Sequence, residues 1–282
     1  MKTILIPMNG TSPSDSLIDA AVLLARQING FIQAVWSQQT LPIIAGEGIT
    51  LPAEYLSQFE QEERELSEYA KSAFLKRIET LGIPLGEMET WDRVAPAAAW
   101  MELKGSGAVA LAELARIFDV SVMHRPVPET TTDWRTTCET VLFEGGRPLL
   151  LVSDDLPRHF GQKIVLSWNG SSETARTIAM TGDLLTSADE VHVIEVEDGK
   201  VAGPTAAQVA CALKASGANA TSQSMTRSEG SVADRIMAYA REVDADLIIK
   251  GAYTHSRLRA LIFGGVTSDI FSKSTLPVMF CH

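Results

Sequence analysis

The residues best suited to chemistry lie in one stretch near the end of the chain. It reads Lys250-Gly251-Ala252-Tyr253-Thr254-His255-Ser256-Arg257-Leu258-Arg259-Ala260-Leu261-Ile262-Phe263-Gly264-Gly265-Val266-Thr267. Gly251 directly follows an apolar run, where a missing Cβ lets backbone come close to another group. Gly264-Gly265-Val266-Thr267 leads into a helical pattern, and the free N–H groups of a helix start suit a phosphate. Lys250, Arg257 and Arg259 add positive charge to the same stretch. A second candidate loop, Asn169-Gly170-Ser171, follows an earlier apolar run, Ile164-Val165-Leu166. Together these are the parts of an anion or nucleotide site.

Such loops need strands and helices to hold them, and the chain spells those elements twice. Ile4-Leu5-Ile6-Pro7-Met8-Asn9-Gly10-Thr11-Ser12 has a counterpart in Ile164-Val165-Leu166-Ser167-Trp168-Asn169-Gly170-Ser171-Ser172. Ala115–Met123 matches Ala240–Ile248, and Arg147–Val152 matches Leu276–Cys281. The three matches keep their order, and such a repeat is the signature of one unit used twice. Extra residues in the first half fall at about Leu41 to Leu81. The second half reads as strands over Lys163–Trp168, Val191–Val196, Ala220–Met225, Asp246–Ile249 and Val278–Cys281. Helices alternate with them over Glu173–Leu185, Thr205–Ala215, Val232–Arg241 and Thr267–Lys273, with Ser171 or Ser172 and Ser231 as caps. The first half repeats this order with a longer second helix, Glu54–Ile78. Its apolar set includes Leu56, Phe59, Leu66, Tyr69 and Phe74, while Glu60, Glu62, Glu63, Glu65 and Glu68 read as a solvated face.

Alternating strands and helices predict an α/β fold of two tandem doubly wound, parallel, five-stranded sheets, each covered on both faces. The domains are expected at residues 1–155 and 160–282, divided at the polar segment Asp154-Asp155-Leu156-Pro157-Arg158. Ligands of open parallel sheets bind outside the carboxyl ends of strands, where the strand order reverses. That rule points to the loops after the first and fourth strands of each half.

The segment Asp246–Thr267 and the β-α order around it resemble the universal stress protein (UspA) family, within the wider group of adenine-nucleotide α/β folds. The resemblance covers the whole chain as a tandem, more closely in the second half. In the family's nucleotide-binding branch, a Gly, a second Gly three positions on, nine residues and then Gly-Ser/Thr hold the ATP phosphates. Gly251 and Gly264 match that spacing. Thr254 stands in place of the second glycine and Gly265 in place of the Ser or Thr, while Val266 and Thr267 match the residues that follow. The family's Asp at the end of the first strand is here Asn169, and Val196 corresponds to the backbone contact to adenine. The resemblance therefore implies ATP or a related adenine nucleotide, with Mg, as ligand of the second domain. It also implies pairing through the last strands, Leu149–Val152 with Val278–Cys281 inside one chain, or between chains in a homodimer. The first half keeps Asn9-Gly10, but Pro126 stands where Gly251 does in the second, and no glycine follows until Gly145. It is expected to bind no nucleotide.

Composition narrows the function further. The 282 residues carry 24 basic and 35 acidic side chains, a formal net charge of −11. Residues 1–157 hold 12 basic and 22 acidic groups, and residues 158–282 hold 12 and 13. Acidity argues against nucleic acid as a partner, yet it belongs to the half that lacks the glycine loop. No run is long and apolar enough to suggest a membrane span. The opening Met1-Lys2-Thr3-Ile4-Leu5-Ile6 is broken too early by Pro7 for a signal peptide. Three separated cysteines (Cys138, Cys211, Cys281) suit buried thiols in a reducing cytoplasm. Gly105-Ser106-Gly107-Ala108-Val109-Ala110 fits a dinucleotide fingerprint but falls at the third strand–helix junction, and reads as a helix start. His124, His159, His192, His255 and His282 show no metal-ligand spacing. These features predict a cytoplasmic, non-enzymatic binding or regulatory module for stress responses, with no catalytic or metal residues. Two other readings stand beside it: an interaction scaffold with empty sites, and a weak ATPase on the same loop.

Overall fold

In the computed structural model the described residues are 1–8, 15–38, 52–126, 132–197, 201–226, 230–252 and 266–282. In chain order the first half carries β1 (Thr3–Met8), α1 (Asp15–Ile28), β2 (Phe31–Gln38), α2 (Ala53–Thr80), β3 (Ala97–Ser106), α3 (Gly107–Ala115), β4 (Val120–His124), α4 (Thr132–Glu144) and β5 (Leu149–Val152). The second half carries β6 (Lys163–Ser167), α5 (Ser172–Met180), α6 (Gly182–Ser187), β7 (Glu190–Val196), α7 (Ala206–Ala215), β8 (Ala220–Met225), α8 (Val232–Glu242), β9 (Leu247–Gly251), α9 (Val266–Lys273) and β10 (Val278–Cys281).

The fold is α/β, and each half is a parallel five-stranded layer. The two layers join edge to edge into a single ten-stranded sheet, ordered β3-β2-β1-β4-β5-β10-β9-β6-β7-β8. The joint is the antiparallel pair β5–β10, with Val278 opposite Leu151, Met279 opposite Leu150 and Phe280 opposite Leu149. All these side chains are buried, so the seam is apolar on both faces. One face packs on α1, α2, α6 and α7, with Phe74, Leu24 and Leu185 in its core. The other packs on α3, α4, α8 and α9, with Leu111, Leu142, Ile236 and Phe271. Burial on both faces explains the near-continuous apolar strands β1, β4 and β9.

Caps follow side-chain chemistry. Ser171 accepts the Thr174 N–H at the start of α5. Thr205 with Gln208, and Ser231 with Asp234, close reciprocal boxes at α7 and α8. The single helix expected over Glu173–Leu185 is instead two. Thr177 and Thr181 turn their hydroxyls back onto the carbonyls of Glu173 and Thr177, which bends a helix, and Gly182 restarts it as α6. In α2 the buried stripe is Glu63, Ser67, Ala70, Phe74 and Ile78, whereas Tyr69 is 58 % exposed. Glu63 thus leaves the solvated acidic face that the sequence suggests, and Tyr69 leaves the apolar one. Cys138 and Cys281 are buried, but Cys211 on α7 is exposed, against the expectation of three buried thiols.

The structure also corrects the register of the repeat. At the start of β4 the Asp119 N–H donates to the Thr3 carbonyl, and its carboxylate takes the N–H groups of Lys2 and Thr3. Ahead of β9 the Asp246 N–H donates to Lys163, and its carboxylate takes Gly161 at 2.9 Å, Gln162 at 3.0 Å and Lys163 at 3.2 Å. Asp119 and Asp246 are therefore equivalent, two residues out of step with the match read from the sequence. Ladder pairing agrees, since Ser121 meets Leu149 as Ile248 meets Val278. Met123 and His124 consequently stand where Lys250 and Gly251 stand, and Pro126 does not. Burial pushes the carboxyl of Asp246 up, more than its three N–H donors lower it. In Asp119 burial acts the same way, but the donors and the chain-terminal ammonium outweigh it and lower the pKa. Asp246→Ala leaves three donors without their acceptor and should cost about 2–3 kcal/mol in urea denaturation. A loss below about 0.5 kcal/mol would show that these bonds hold nothing together.

Candidate functional site

In the second half the strand order reverses between β6 and β9, which pair with Ser167 opposite Lys250. Their carboxyl ends bring together Asn169 and Ser171, Lys250 and Gly251, and the first turn of α9 with Val266 and Thr267. Thr254, Gly264 and Gly265 lie outside the described residues, as do Asn9 and Gly10.

On the β6 side, Asn169 is committed to its own loop. Its Oδ1 accepts the Ser171 N–H at 3.1 Å and the Thr174 hydroxyl. Its carbonyl accepts the Val201 N–H at 2.8 Å. Asn169 therefore braces the start of α5, a role its match to a nucleotide-facing position does not suggest. Segment 201–204 then folds over the same loop. Gly170, at φ 84, comes so close that an added Cβ would lie 2.6 Å from the Val201 carbonyl oxygen, and one on Gly203 would lie 2.6 Å from that of Gly170. Beside this contact is a pocket of about 140 Å³ lined by Gly170, Glu195, Gly203 and Thr205 among others. Ligand pockets of drug size run from about 300 Å³, so this one suits a small group. Glu195 is buried in its wall and accepts the Ala206 N–H at 3.0 Å, at the start of α7. Val196, one residue on, is 5 % exposed, with its side chain in the core near Met225 and Ala233.

On the β9 side, Gly251 answers a packing need. A Cβ there would lie 2.8 Å from the Thr174 nitrogen and 3.1 Å from the Glu173 carbonyl carbon, both backbone atoms of the first turn of α5. The glycine lets β9 touch that helix start, in addition to any closeness to a ligand. Lys250 points to the opposite face and is 7 % exposed. Its Nζ donates to the Gly251 carbonyl at 2.7 Å and to Thr267 Oγ1 at 3.0 Å. The ammonium lies 5.9 Å from the centroid of the Phe280 ring. Burial pushes its pKa down to about 7. Thr267 is itself buried, so Lys250 and Thr267 tie β9 to the start of α9. The sequence shows Lys250 only as a flanking charge; its position within a doubly covered parallel strand is the signal that it turns inward.

The first half closes the equivalent place with side chains. His124 replaces the glycine, and its Nε2 meets Asp154 Oδ1 at 3.1 Å, which also accepts the Ser16 hydroxyl at 2.8 Å. Met123 replaces the lysine and is fully buried. Elsewhere, His192 sits between Glu190 at 3.1 Å and the Tyr239 hydroxyl at 3.3 Å, at the other end of β7. Cys281 is a strand-end thiol whose pKa burial pushes up to about 12. Among the described residues no group of three or more acidic, His or Cys side chains could hold a metal. Among them, too, no helix is long and apolar enough to cross a membrane.

A doubly wound sheet with loops converging at its switch point defines a class of α/β binding fold. Residues 162–282 match the model of the Universal stress protein family, so this half of the chain is similar to that family. The Stress response protein NhaX of Bacillus subtilis (strain 168) is 39 % identical over 51 residues, spanning 18 % of this chain and 31 % of that protein. A universal stress protein from Archaeoglobus fulgidus DSM 4304 shares the fold with a TM-score of 0.69 at 16 % identity, over 99 % of this chain and 95 % of its own. The functionally unknown protein PA1789 from Pseudomonas aeruginosa PAO1 does so with a TM-score of 0.52 at 14 % identity, over 99 % and 92 %. These two likenesses extend across both halves of the sheet.

Proposed function

We propose that the chain is a cytoplasmic, non-enzymatic binding module of stress responses whose second half holds the phosphates of ATP or a related adenine nucleotide. The observation that carries this reading is the pairing of Lys250 with Thr267 beneath the first turn of α9, beside the switch point between β6 and β9. An ammonium, a hydroxyl and the free N–H groups of a helix start favour an anion. Gly251 and Val266-Thr267 keep the family's spacing around it. The first half pairs through β5–β10 and serves as a partner, since His124 and Asp154 occupy its equivalent place. Mg would accompany the nucleotide, held by the phosphates themselves.

A second reading, an interaction scaffold with no nucleotide, draws on Asn169 and Gly251, both engaged in internal packing. Calorimetric titration of ATP with Mg into protein freed of nucleotide by unfolding and refolding separates the two. The proposal expects saturable binding with one site per chain. No heat and no melting shift up to millimolar ATP would leave the scaffold. Steady phosphate release would overturn the non-enzymatic part of the reading.

A further inference from the structure

Lys250 stands out when the two halves are laid on each other. In the first half the position is Met123, fully buried between the sheet and its helices. In the second it is a lysine in the same kind of place, opposite Phe280 on β10 and Ser167 on β6. A buried ammonium is costly unless something compensates it. Its two hydrogen-bond partners, the Gly251 carbonyl and Thr267 Oγ1, are neutral.

The charged and titratable groups around it are otherwise occupied. On α9, Asp269 is paired with Lys273 at 2.9 Å. On α8, Asp234 accepts the Ser231 N–H at 2.9 Å and the Ser231 hydroxyl at 2.8 Å. On α5, Glu173 accepts the Ser172 hydroxyl at 3.3 Å. On β10, Cys281 is a thiol kept protonated by burial. The β9–α9 connection contributes His255, Arg257 and Arg259, which lie outside the described residues. Among the described groups none supplies Lys250 with a carboxylate.

We propose that phosphate binding beside β9 and α9 is coupled to a proton through Lys250, which becomes an ammonium as the anion arrives and an amine as it leaves. This rests on the nucleotide reading above and adds its regulation by pH. The proton comes from solvent, and no covalent bond changes. Burial leaves the free protein's amine near pKa 7. An adjacent anion raises that value, so affinity is full below about pH 7 and falls as pH rises, by at most about tenfold per pH unit. At pH 8 the free amine is about nine-tenths neutral, and each ATP bound should draw about 0.9 proton from the buffer.

The test is calorimetry of ATP binding between pH 6 and 9 in buffers of different ionisation heat, on wild type, Lys250→Met and Lys250→Arg. ATP's own ionisation is common to all three and cancels in the comparison. Wild type should lose affinity steeply above pH 7 relative to Lys250→Met, which places the first half's residue there. Lys250→Arg cannot lose its proton and should stay flat relative to wild type. In parallel, the ¹³Cε resonance of Lys250 in the free protein should titrate near pH 7. Binding with equal proton uptake in wild type and Lys250→Met, or a Lys250 resonance titrating above pH 9, overturns the coupling and leaves the nucleotide reading intact. No ATP binding by wild type at any pH overturns the nucleotide reading and the coupling with it.

Discussion

Lys250→Met raises the stability of the protein at pH 6 by about 3–4 kcal/mol, and the gain fades as pH approaches 10. In an unfolded chain lysine titrates near 10.5, and here burial lowers that to about 7. Between those values the unfolded state binds a proton that the folded state does not, so wild-type stability rises with pH across that window. Below pH 7 the whole penalty acts, about 5 kcal/mol by the usual conversion of pKa into energy. Methionine removes that penalty but also the two hydrogen bonds that Lys250 donates, to the Gly251 carbonyl and to Thr267 Oγ1, which returns about 1–2 kcal/mol. Met123 shows that the fold accommodates the side chain at the matching place. Urea denaturation of both proteins at pH 6 and pH 10 checks the result. A gain independent of pH, or a loss at pH 6, would show that Lys250 is charged and compensated in the folded state.

Gly251→Ala acts in the opposite direction and lowers stability by about 2–3 kcal/mol. The new methyl group would meet the Thr174 nitrogen at 2.8 Å and the Glu173 carbonyl carbon and Thr174 Cα at 3.1 Å. Those atoms are backbone, so no side chain can swing aside. The helix start they belong to is held by the Ser171 cap and by Asn169. The strand is held too, since Gly251 faces Cys281 and the Ala252 N–H donates to the Cys281 carbonyl at 2.7 Å. Either β9 or α5 must shift. Urea denaturation with an unchanged m-value, together with a lower midpoint, is the expected record. A variant as stable as wild type would mean that the strand and helix give way freely there. The clash also bears on function: a Gly251 variant that fails to bind ATP says little about ligand contact.

The alternation of strands and helices was legible because each element carries its own period and its own stop. β8 and β10 fall where the sequence puts them, and Ser231 caps α8 as read. What escaped depends on contacts between distant residues. The register of the repeat is set by Asp119 and Asp246 catching the N–H groups that begin β1 and β6. The sequence match falls two residues out of step because Ala-Arg, two further residues and then Asp occur at both helix ends, as Ala115-Arg116-Ile117-Phe118-Asp119 and Ala240-Arg241-Glu242-Val243-Asp244. The glycine at 251 looked like a concession to a ligand, yet the atoms it makes room for belong to a helix that follows a different strand. Lys250 looked like surface charge beside a loop, yet strand alternation turns it under α9. In α2, spacing alone could not tell that Glu63 faces inward and Tyr69 outward, since the contacts of α2 with α1 and β2 decide the stripe. The family resemblance supplied candidate positions only; the packing shows which of them serve the fold.

The most direct test of the central claim is a map of backbone amide shifts in ¹⁵N-labelled protein as ATP with Mg is added. The account predicts saturable shifts gathered at Ser167–Ser171, Gly251–Ala252 and Val266–Thr267, with residues 1–152 unmoved. Shifts centred on the first half, or none at saturating ATP, would contradict it.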